Sequence, residues 1–200
     1  TAGEKAAAPK AIATKQAVGA ANYEFYMAIS VLDCTGCQNC VNVCPAKEKA
    51  LSMQILSEES EEAVLWKYTA GLPQKANPFS KWTVKGSQFE KPLFEFSGAC
   101  AGCGETPYIK LLTQLYGDRM LIANSAGCAH VFSGSVPASP YTTDAKGHGP
   151  AWNSSLFEDT AEFGLGLFSG TQQIQRQMAS AARAAIALHL SDELDQVLSD

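Results

Sequence analysis

Residues 33–45 read Asp33-Cys34-Thr35-Gly36-Cys37-Gln38-Asn39-Cys40-Val41-Asn42-Val43-Cys44-Pro45. The pattern is C-x2-C-x2-C-x3-C-P, a run that binds 4Fe–4S clusters. Each C-x2-C pair allows a tight turn to direct its thiolates at neighbouring irons, and soft thiolates suit such clusters. The fourth cysteine of this run normally binds the other cluster of a two-cluster protein. The run therefore predicts one cluster on Cys34, Cys37 and Cys40 and a second on Cys44.

Zinc and disulfide bonds are the alternative uses of these thiols. Structural zinc sites usually arise from separated pairs of ligands, and this run is too closely spaced to wrap easily around one zinc ion. A secreted disulfide framework favours an even number of cysteines in a shorter chain, whereas this chain has seven. Cluster binding is therefore the preferred interpretation.

The other three cysteines are Cys100, Cys103 and Cys128. Glycines flank them, and glycine allows the backbone to approach a bulky inorganic core closely. These residues are candidate ligands of a third cluster. Because no set is complete within the chain, either other segments supply the missing ligands or the sites are incomplete.

The composition fits a globular protein of one or two domains. The 200 residues are 46% apolar and 18% charged, with a net charge of −5. No basic cluster predicts binding to nucleic acid or to an anionic membrane. The longest uncharged stretch, 120–143, contains Pro137 and Pro140, so we expect no membrane span. The chain starts at Thr1 without a signal-peptide pattern, and we expect it to be a piece of a longer protein.

The first part of the chain is divided at 25, 58 and 92. Residues 1–25 are rich in Ala and Lys and predict a linker or surface segment, with an organellar transit peptide as the alternative. Residues 26–58 predict half of a two-cluster ferredoxin-like domain. Its expected elements are a strand at Tyr26–Leu32, a helical turn at Ala46–Ala50 and a returning strand at Leu51–Ile55.

Residues 59–92 predict an extended connector with one helix near Glu61–Tyr68. Prolines and Asn77-Pro78 prevent a longer helix. Four aromatic residues are expected to anchor the connector by burying their rings. They are Trp66, Phe79, Trp82 and Phe89.

Residues 93–200 predict the start of an α/β domain, so the whole chain is expected to be α+β. Thr106 is a candidate helix N-cap, Pro107 a first helical residue, and Gly117 a helix end. Met120–Ala123 predicts a strand whose carboxyl end turns towards Cys128, where open α/β sheets bind ligands. Residues 133–155 predict a long loop.

Helices are predicted at the carboxyl end of the chain, at Glu158–Gly170, Thr171–Leu190 and Asp192–Val197, the last capped by Ser191. The second helix carries an apolar stripe that predicts core packing. The stripe consists of Ile174, Met178, Ala181, Ala185 and Leu188.

Four segments together resemble pyruvate:ferredoxin oxidoreductase of the single-chain type, and the likeness runs from about Leu32 to Gly166. The segments are Asp33–Cys37, Cys44–Ala50, Phe96–Tyr108 and Gly147–Trp152. The resemblance implies a segment at the junction between the ferredoxin-like domain and a thiamine-diphosphate domain. The implied reaction converts pyruvate and coenzyme A into acetyl-CoA and carbon dioxide while reducing ferredoxin or flavodoxin.

The resemblance also implies roles for individual residues. It implies that Cys100, Cys103 and Cys128 bind the cluster nearest thiamine, and that the 34–44 run belongs to a relay towards the surface. Glu105 matches a residue that lies against thiamine diphosphate, and Cys128 is implied to contact both cofactor and cluster. A carboxylate favoured by the positive end of the helix is the alternative for Glu105. His130 and His148 match no family role, and ordinary hydrogen bonds are expected for them.

The family resemblance sets further expectations for the intact enzyme. The expected cofactors are three 4Fe–4S clusters, thiamine diphosphate and magnesium. The chain is expected to contact the remainder of the same enzyme, the enzyme to form a homodimer, and its location to be cytoplasmic or organellar. The chain lacks the magnesium-binding Gly-Asp-Gly segment and carries Asn124-Ser125-Ala126-Gly127-Cys128-Ala129 where the family usually has Asn-Ala-Thr-Gly-Cys-Ser. The alternatives are a stand-alone iron–sulfur electron-transfer or interaction module, and a pyruvate:NADP oxidoreductase.

Overall fold

The computed structural model describes residues 1–134 and 139–187. Helices and two small sheets alternate along the chain, which confirms the α+β class at this coarse level. The helices are α1 (Ala2–Ala6), α2 (Asn39–Asn42), α3 (Ser60–Ala70), α4 (Val84–Ser87), α5 (Thr106–Tyr116), α6 (Cys128–Gly134) and α7 (Thr160–Ala187). The strands are β1 (Lys15–Gln16), β2 (Glu24–Phe25), β3 (Leu121–Asn124) and β4 (Ala151–Ser154), and short 3-10 turns occupy Leu56–Glu58 and Gly117–Arg119.

The two sheets differ in the direction of their strands. β1 and β2 form an antiparallel pair in which Lys15 faces Phe25. β3 and β4 are parallel, with Leu121 opposite Ala151 and Asn124 opposite Ser154. A parallel pair requires a crossover, and here the crossover contains α6. None of the described helices has the length and apolar character needed to cross a membrane.

The amino-terminal segment packs against the connector. The Tyr68 hydroxyl donates a hydrogen bond to the Glu4 carbonyl at 2.7 Å. The Lys75 ammonium lies 2.8 Å from the Glu4 carboxylate. Hydrogen bonds from Lys75, the terminal ammonium and Thr1 lower the pKa of Glu4 to about 2. Glu4 therefore attaches the start of the chain to Tyr68 and Lys75.

The most buried aromatic side chain is Phe94, at the start of the second half of the chain. It is 2% exposed, and its ring lies 5.0 Å from that of Tyr141 and 6.0 Å from that of Phe132. Next to it, the Leu93 amide donates a hydrogen bond to the Thr113 hydroxyl of α5 at 3.1 Å. This cluster joins α5, α6 and the segment before β4.

Two strands predicted in the ferredoxin-like half are absent. Neither Tyr26–Leu32 nor Leu51–Ile55 is a strand, and Ala46–Ala50 contains only bends. A strand exists only when its backbone groups pair with a neighbour. Among the described residues, β2 pairs only with β1, before the cysteine run. The prediction was wrong because alternation of apolar residues does not supply a pairing partner.

The predicted helix boundary at Gly170 was also wrong. α7 runs from Thr160 to Ala187 without a break, through three glycines. Its stripe is not core, since Ile174 and Met178 are 58% and 66% exposed. Leu188, the end of this helix at Leu190, Ser191 and the predicted helix Asp192–Val197 lie outside the described residues.

Two further differences concern one strand and one helix start. β4 lies inside the stretch predicted as a loop, of which the structure describes all but residues 135–138. α5 begins at Thr106, so Glu105 rather than Thr106 is the N-cap. The helix of the connector is confirmed as α3, and β3 confirms the predicted strand within one residue.

The connector aromatics make the expected ring contacts with unequal burial. Trp66 contacts Phe96 and Phe79 contacts Phe89, with ring centroids 6.1 and 5.3 Å apart. Trp82 lies 5.7 Å from the Tyr116 ring, yet 62% of it is exposed. Trp66 and Trp82 thus join the connector to the following part of the chain, whereas the Phe79–Phe89 contact lies within the connector itself.

Candidate cofactor site

The first cysteine run is an irregular loop that ends in one helical turn. Gly36 and Gln38 both have positive φ, at 69° and 66°, a region that glycine adopts easily and other residues rarely. Each of these two residues lies between successive cysteines of the run. α2 follows and carries Cys40. The loop geometry therefore depends on the residues that separate the thiols.

Backbone N–H groups surround the last thiol of this run. The Ala50 amide donates to Cys44 Sγ at 3.4 Å. Hydrogen bonds from Ala50 and Ala46, with a smaller contribution from the Lys49 charge, lower the pKa of the Cys44 thiol. Lys49 Nζ also donates to the Asn42 and Cys44 carbonyls, at 2.9 and 3.0 Å. This environment favours a thiolate, which is the form that binds metal.

The second cysteine loop is a tight turn that lies against the first. The Cys103 amide donates to the Cys100 carbonyl at 3.0 Å. Gly102 has a φ of +71°, and a Cβ there would lie 2.9 Å from Asn39 Nδ2 and 3.6 Å from Cys37 Cβ. The positive φ favours glycine at this position, and a larger residue would also displace the Asn39 side chain. The structure thus brings the two loops together at Cys37 and Gly102.

Glu105 stands at the N-cap of α5. Its carbonyl accepts the Tyr108 amide at 3.0 Å, while its side chain makes no capping hydrogen bond. The side chain is exposed. A carboxylate here benefits from the positive end of the helix, and it is also available to a cofactor.

Cys128 is the first residue of α6. Gly127, with a φ of +142°, precedes it, and the Val131 amide donates to the Gly127 carbonyl at 3.1 Å. The Asn124 side-chain amide, at the end of β3, donates to the Ala129 carbonyl at 3.3 Å. His130 Nδ1 lies 2.7 Å from Ser154 Oγ, at the end of β4. Cys128 thus lies beside the carboxyl ends of both parallel strands.

All seven cysteines are free thiols, and five of them are exposed. Soft, unpaired thiols are the donor chemistry that iron–sulfur clusters require. Within residues 1–134 and 139–187, however, no three His, Cys, Asp or Glu side chains come close enough to hold a metal ion. Thiol donors therefore fit a cluster, but among the described residues the cysteines of a predicted set do not lie close enough together to hold one.

Some contacts near the cysteines were not expected from the sequence. Ser154 contacts His130 because β4 pairs with β3, and this strand was not predicted. His130 makes the ordinary hydrogen bond that was expected, but from a helix rather than a loop. Lys49 lies within Cys44–Ala50, one of the segments that carry the family resemblance. The sequence indicates its contact with the Cys44 carbonyl only through its position five residues after Cys44.

Comparison with known proteins gives several similar relatives. The chain is 57% identical over 195 residues to pyruvate-flavodoxin oxidoreductase of Klebsiella pneumoniae, covering 98% of the chain and 17% of that protein. It is 53% identical to pyruvate:ferredoxin oxidoreductase of Moorella thermoacetica, covering 93% and 16% respectively. Pyruvate dehydrogenase [NADP(+)] of Cryptosporidium parvum is 48% identical, with 90% and 9% covered. No protein-family model matches the chain.

The match includes nearly all of this chain but only about a sixth of the length of the first two relatives. The cysteine motifs and the overall identity point to the same enzymes. By sequence, the chain is therefore homologous to one segment of the pyruvate-flavodoxin and pyruvate:ferredoxin oxidoreductases, which confirms the resemblance seen in its motifs.

Proposed function

We propose that this chain is the part of a pyruvate oxidoreductase that passes electrons from the reacting centre towards an external acceptor. The overall reaction joins the acetyl group of pyruvate to coenzyme A, releases carbon dioxide, and transfers two electrons to ferredoxin or flavodoxin. The observation that carries the proposal is the 57% identity over 195 residues in a chain whose cysteines are all free.

The proposed ligands form three sets. Cys34, Cys37 and Cys40 bind one 4Fe–4S cluster, and Cys44 contributes to a second. Cys100, Cys103 and Cys128 bind a third, with the missing ligands supplied by the remainder of the same enzyme. The clusters supply one-electron transfer, and thiamine diphosphate supplies the carbanion chemistry of decarboxylation.

The chain's own residues would control how these groups are held. The N–H groups of Ala46 and Ala50 stabilise the Cys44 thiolate, and such hydrogen bonds tune a cluster's reduction potential. Glu105 has an exposed carboxylate that makes no capping hydrogen bond. We propose that this carboxylate faces thiamine diphosphate. Cys128 is proposed to touch both the thiamine cofactor and its neighbouring cluster.

The whole enzyme would bind thiamine diphosphate with magnesium, take pyruvate and coenzyme A as substrates, form a homodimer, and work in the cytoplasm or an organelle. The names of the relatives from Klebsiella pneumoniae and Moorella thermoacetica support flavodoxin or ferredoxin as the acceptor. Two relatives named pyruvate dehydrogenase [NADP(+)], at 48% and 43% identity, make NADP the second candidate.

The test uses the full-length polypeptide purified without oxygen. We expect reduction of ferredoxin or flavodoxin that requires both pyruvate and coenzyme A. Cys103→Ser should abolish it, whereas Gly98→Ala should retain it, because a Cβ on Gly98 meets nothing within 4 Å. Iron binding without pyruvate-dependent reduction of any acceptor would instead identify a stand-alone electron-transfer module. Reduction of NADP alone would change the acceptor and keep the enzyme class.

A further inference from the structure

The helix that carries Cys128 is held from both strands of the parallel sheet. α6 contains seven residues, and so short a helix has little stability of its own. Asn124 of β3 binds the Ala129 carbonyl, and Ser154 of β4 contacts His130. The two residues that follow Cys128 are therefore each attached to one strand of the sheet.

The His130–Ser154 contact is a short hydrogen bond of 2.7 Å between Nδ1 and Oγ. The Ser154 hydroxyl also lies 3.2 Å from the Ser155 carbonyl, to which it can donate. Either neutral tautomer of His130 can make the short bond, because a hydroxyl both donates and accepts.

Trp152 also contacts His130. Its ring centroid lies 6.4 Å from that of His130. It also packs on Gly134, where an added Cβ would approach the indole to 2.6 Å. The indole thus fixes the carboxyl end of α6 while Ser154 fixes the residue two positions after Cys128.

We propose that His130 and Ser154 are positioning residues that set the orientation of Cys128 towards its cluster. The inference rests on the function proposed above, in which Cys128 is a ligand. Partners that orient a ligand without touching the metal typically change metal affinity or activity by about 10–100-fold when removed. A hydrogen bond that served only folding would change stability and leave the cluster's properties as they were.

Four variants of the full-length enzyme separate these roles. His130→Ala and Ser154→Ala each remove one partner of the hydrogen bond. His130→Asn keeps a side-chain amide, which can donate or accept, close to the position of Nδ1 and serves as the conservative rescue. His148→Ala is the matched control, because His148 is an exposed histidine of the segment before β4.

The readouts are the paramagnetic resonance spectrum and midpoint potential of the cluster that is lost in Cys128→Ser, together with pyruvate-dependent turnover. We expect altered spectra and about 10–100-fold slower turnover in His130→Ala and Ser154→Ala. The double variant should be no worse than either single variant, because both remove the same bond. His130→Asn and His148→Ala should resemble the unmodified enzyme.

The inference is overturned if His130→Ala keeps the original spectrum and potential, or if His130→Asn is as impaired as His130→Ala. Additive losses in the double variant would also overturn it, since the two residues would then act separately. These results leave the proposed function standing when the unmodified enzyme is active. An unmodified enzyme that lacks iron or pyruvate-dependent reduction would remove the proposed function itself.

Discussion

At the scale of single residues, the surroundings of Cys44 and Cys128 differ in how they act on the thiol. Cys44 has a lowered thiol pKa because Ala50 and Ala46 donate to its sulfur. Cys128 instead begins a helix whose next two residues, Ala129 and His130, contact the strands β3 and β4. The lowered pKa concerns the charge of the Cys44 thiol, whereas the role proposed for the contacts near Cys128 concerns its orientation.

Replacing Cys128 with serine tests the role proposed for this residue in the full-length enzyme. A hydroxyl is a poor substitute for the soft thiolate, so we expect at least about tenfold slower ferredoxin reduction. The kcat/KM for pyruvate should stay unchanged because the substitution slows electron transfer, a step that follows pyruvate binding and loss of carbon dioxide. Steady-state kinetics with varied pyruvate measure both quantities. Ferredoxin reduction at the original rate would exclude Cys128 from the ligand set.

Cys37→Ser is the matched substitution in the first run. It should retain carbon dioxide release in a single turnover and lose electron delivery to ferredoxin, because Cys37 is proposed to belong to the outgoing cluster. The two products are measured in the same reaction. Normal ferredoxin turnover would contradict the assignment of this run to the relay.

At the scale of elements, the contact between α6 and β4 depends on a glycine. Alanine normally stabilises a helix relative to glycine by about 1 kcal/mol. At Gly134 it should instead destabilise by about 1–3 kcal/mol, because its Cβ would lie 2.6 Å from the Trp152 ring. Hydrogen–deuterium exchange of the peptides containing α6 and β4 should therefore become faster in Gly134→Ala.

Gly166→Ala is the control for this prediction, since Gly166 lies in α7 and its added Cβ meets nothing within 4 Å. Exchange in α7 should slow or stay the same in this variant. Unchanged exchange of α6 and β4 in Gly134→Ala would show that Trp152 moves aside without cost.

The sequence predicted elements well where local signals were sufficient. α5 and β3 were found because their apolar residues, Pro107 and the glycine at 117 act over a few residues, and Pro73 and Pro78 limit α3 in the same local way. The strands at Tyr26–Leu32 and Leu51–Ile55 were wrong because pairing is not a local property. β4 was missed since four residues within a Ser- and Gly-rich stretch give little periodic signal.

The candidate ligands could be named from their spacing alone, but the contacts that surround them could not be predicted from the sequence. The C-x2-C pattern identifies Cys34 and Cys100 as members of ligand pairs without any knowledge of the fold. The contact of His130 with Ser154 arises only when β4 lies beside β3. Candidate ligands can thus be predicted from the motif, whereas the contacts around them depend on the tertiary structure.

At the scale of the whole molecule, the described chain leaves much apolar surface uncovered. Leu165 and Met178 of α7 are 65% and 66% exposed, although the helix packs on β3. The chain also covers only 17% of its relative from Klebsiella pneumoniae. These observations agree with a segment that functions as part of a larger enzyme.

Iron analysis of the full-length, anaerobically purified polypeptide tests the central claim most directly. Three 4Fe–4S clusters predict about twelve irons per polypeptide, with a matching amount of acid-labile sulfide. Cys34→Ser, Cys44→Ser and Cys103→Ser should each remove the signal of a different cluster. Fewer than about ten irons in a fully loaded sample, or the loss of the same cluster in all three variants, would contradict the division of the cysteines into three sets.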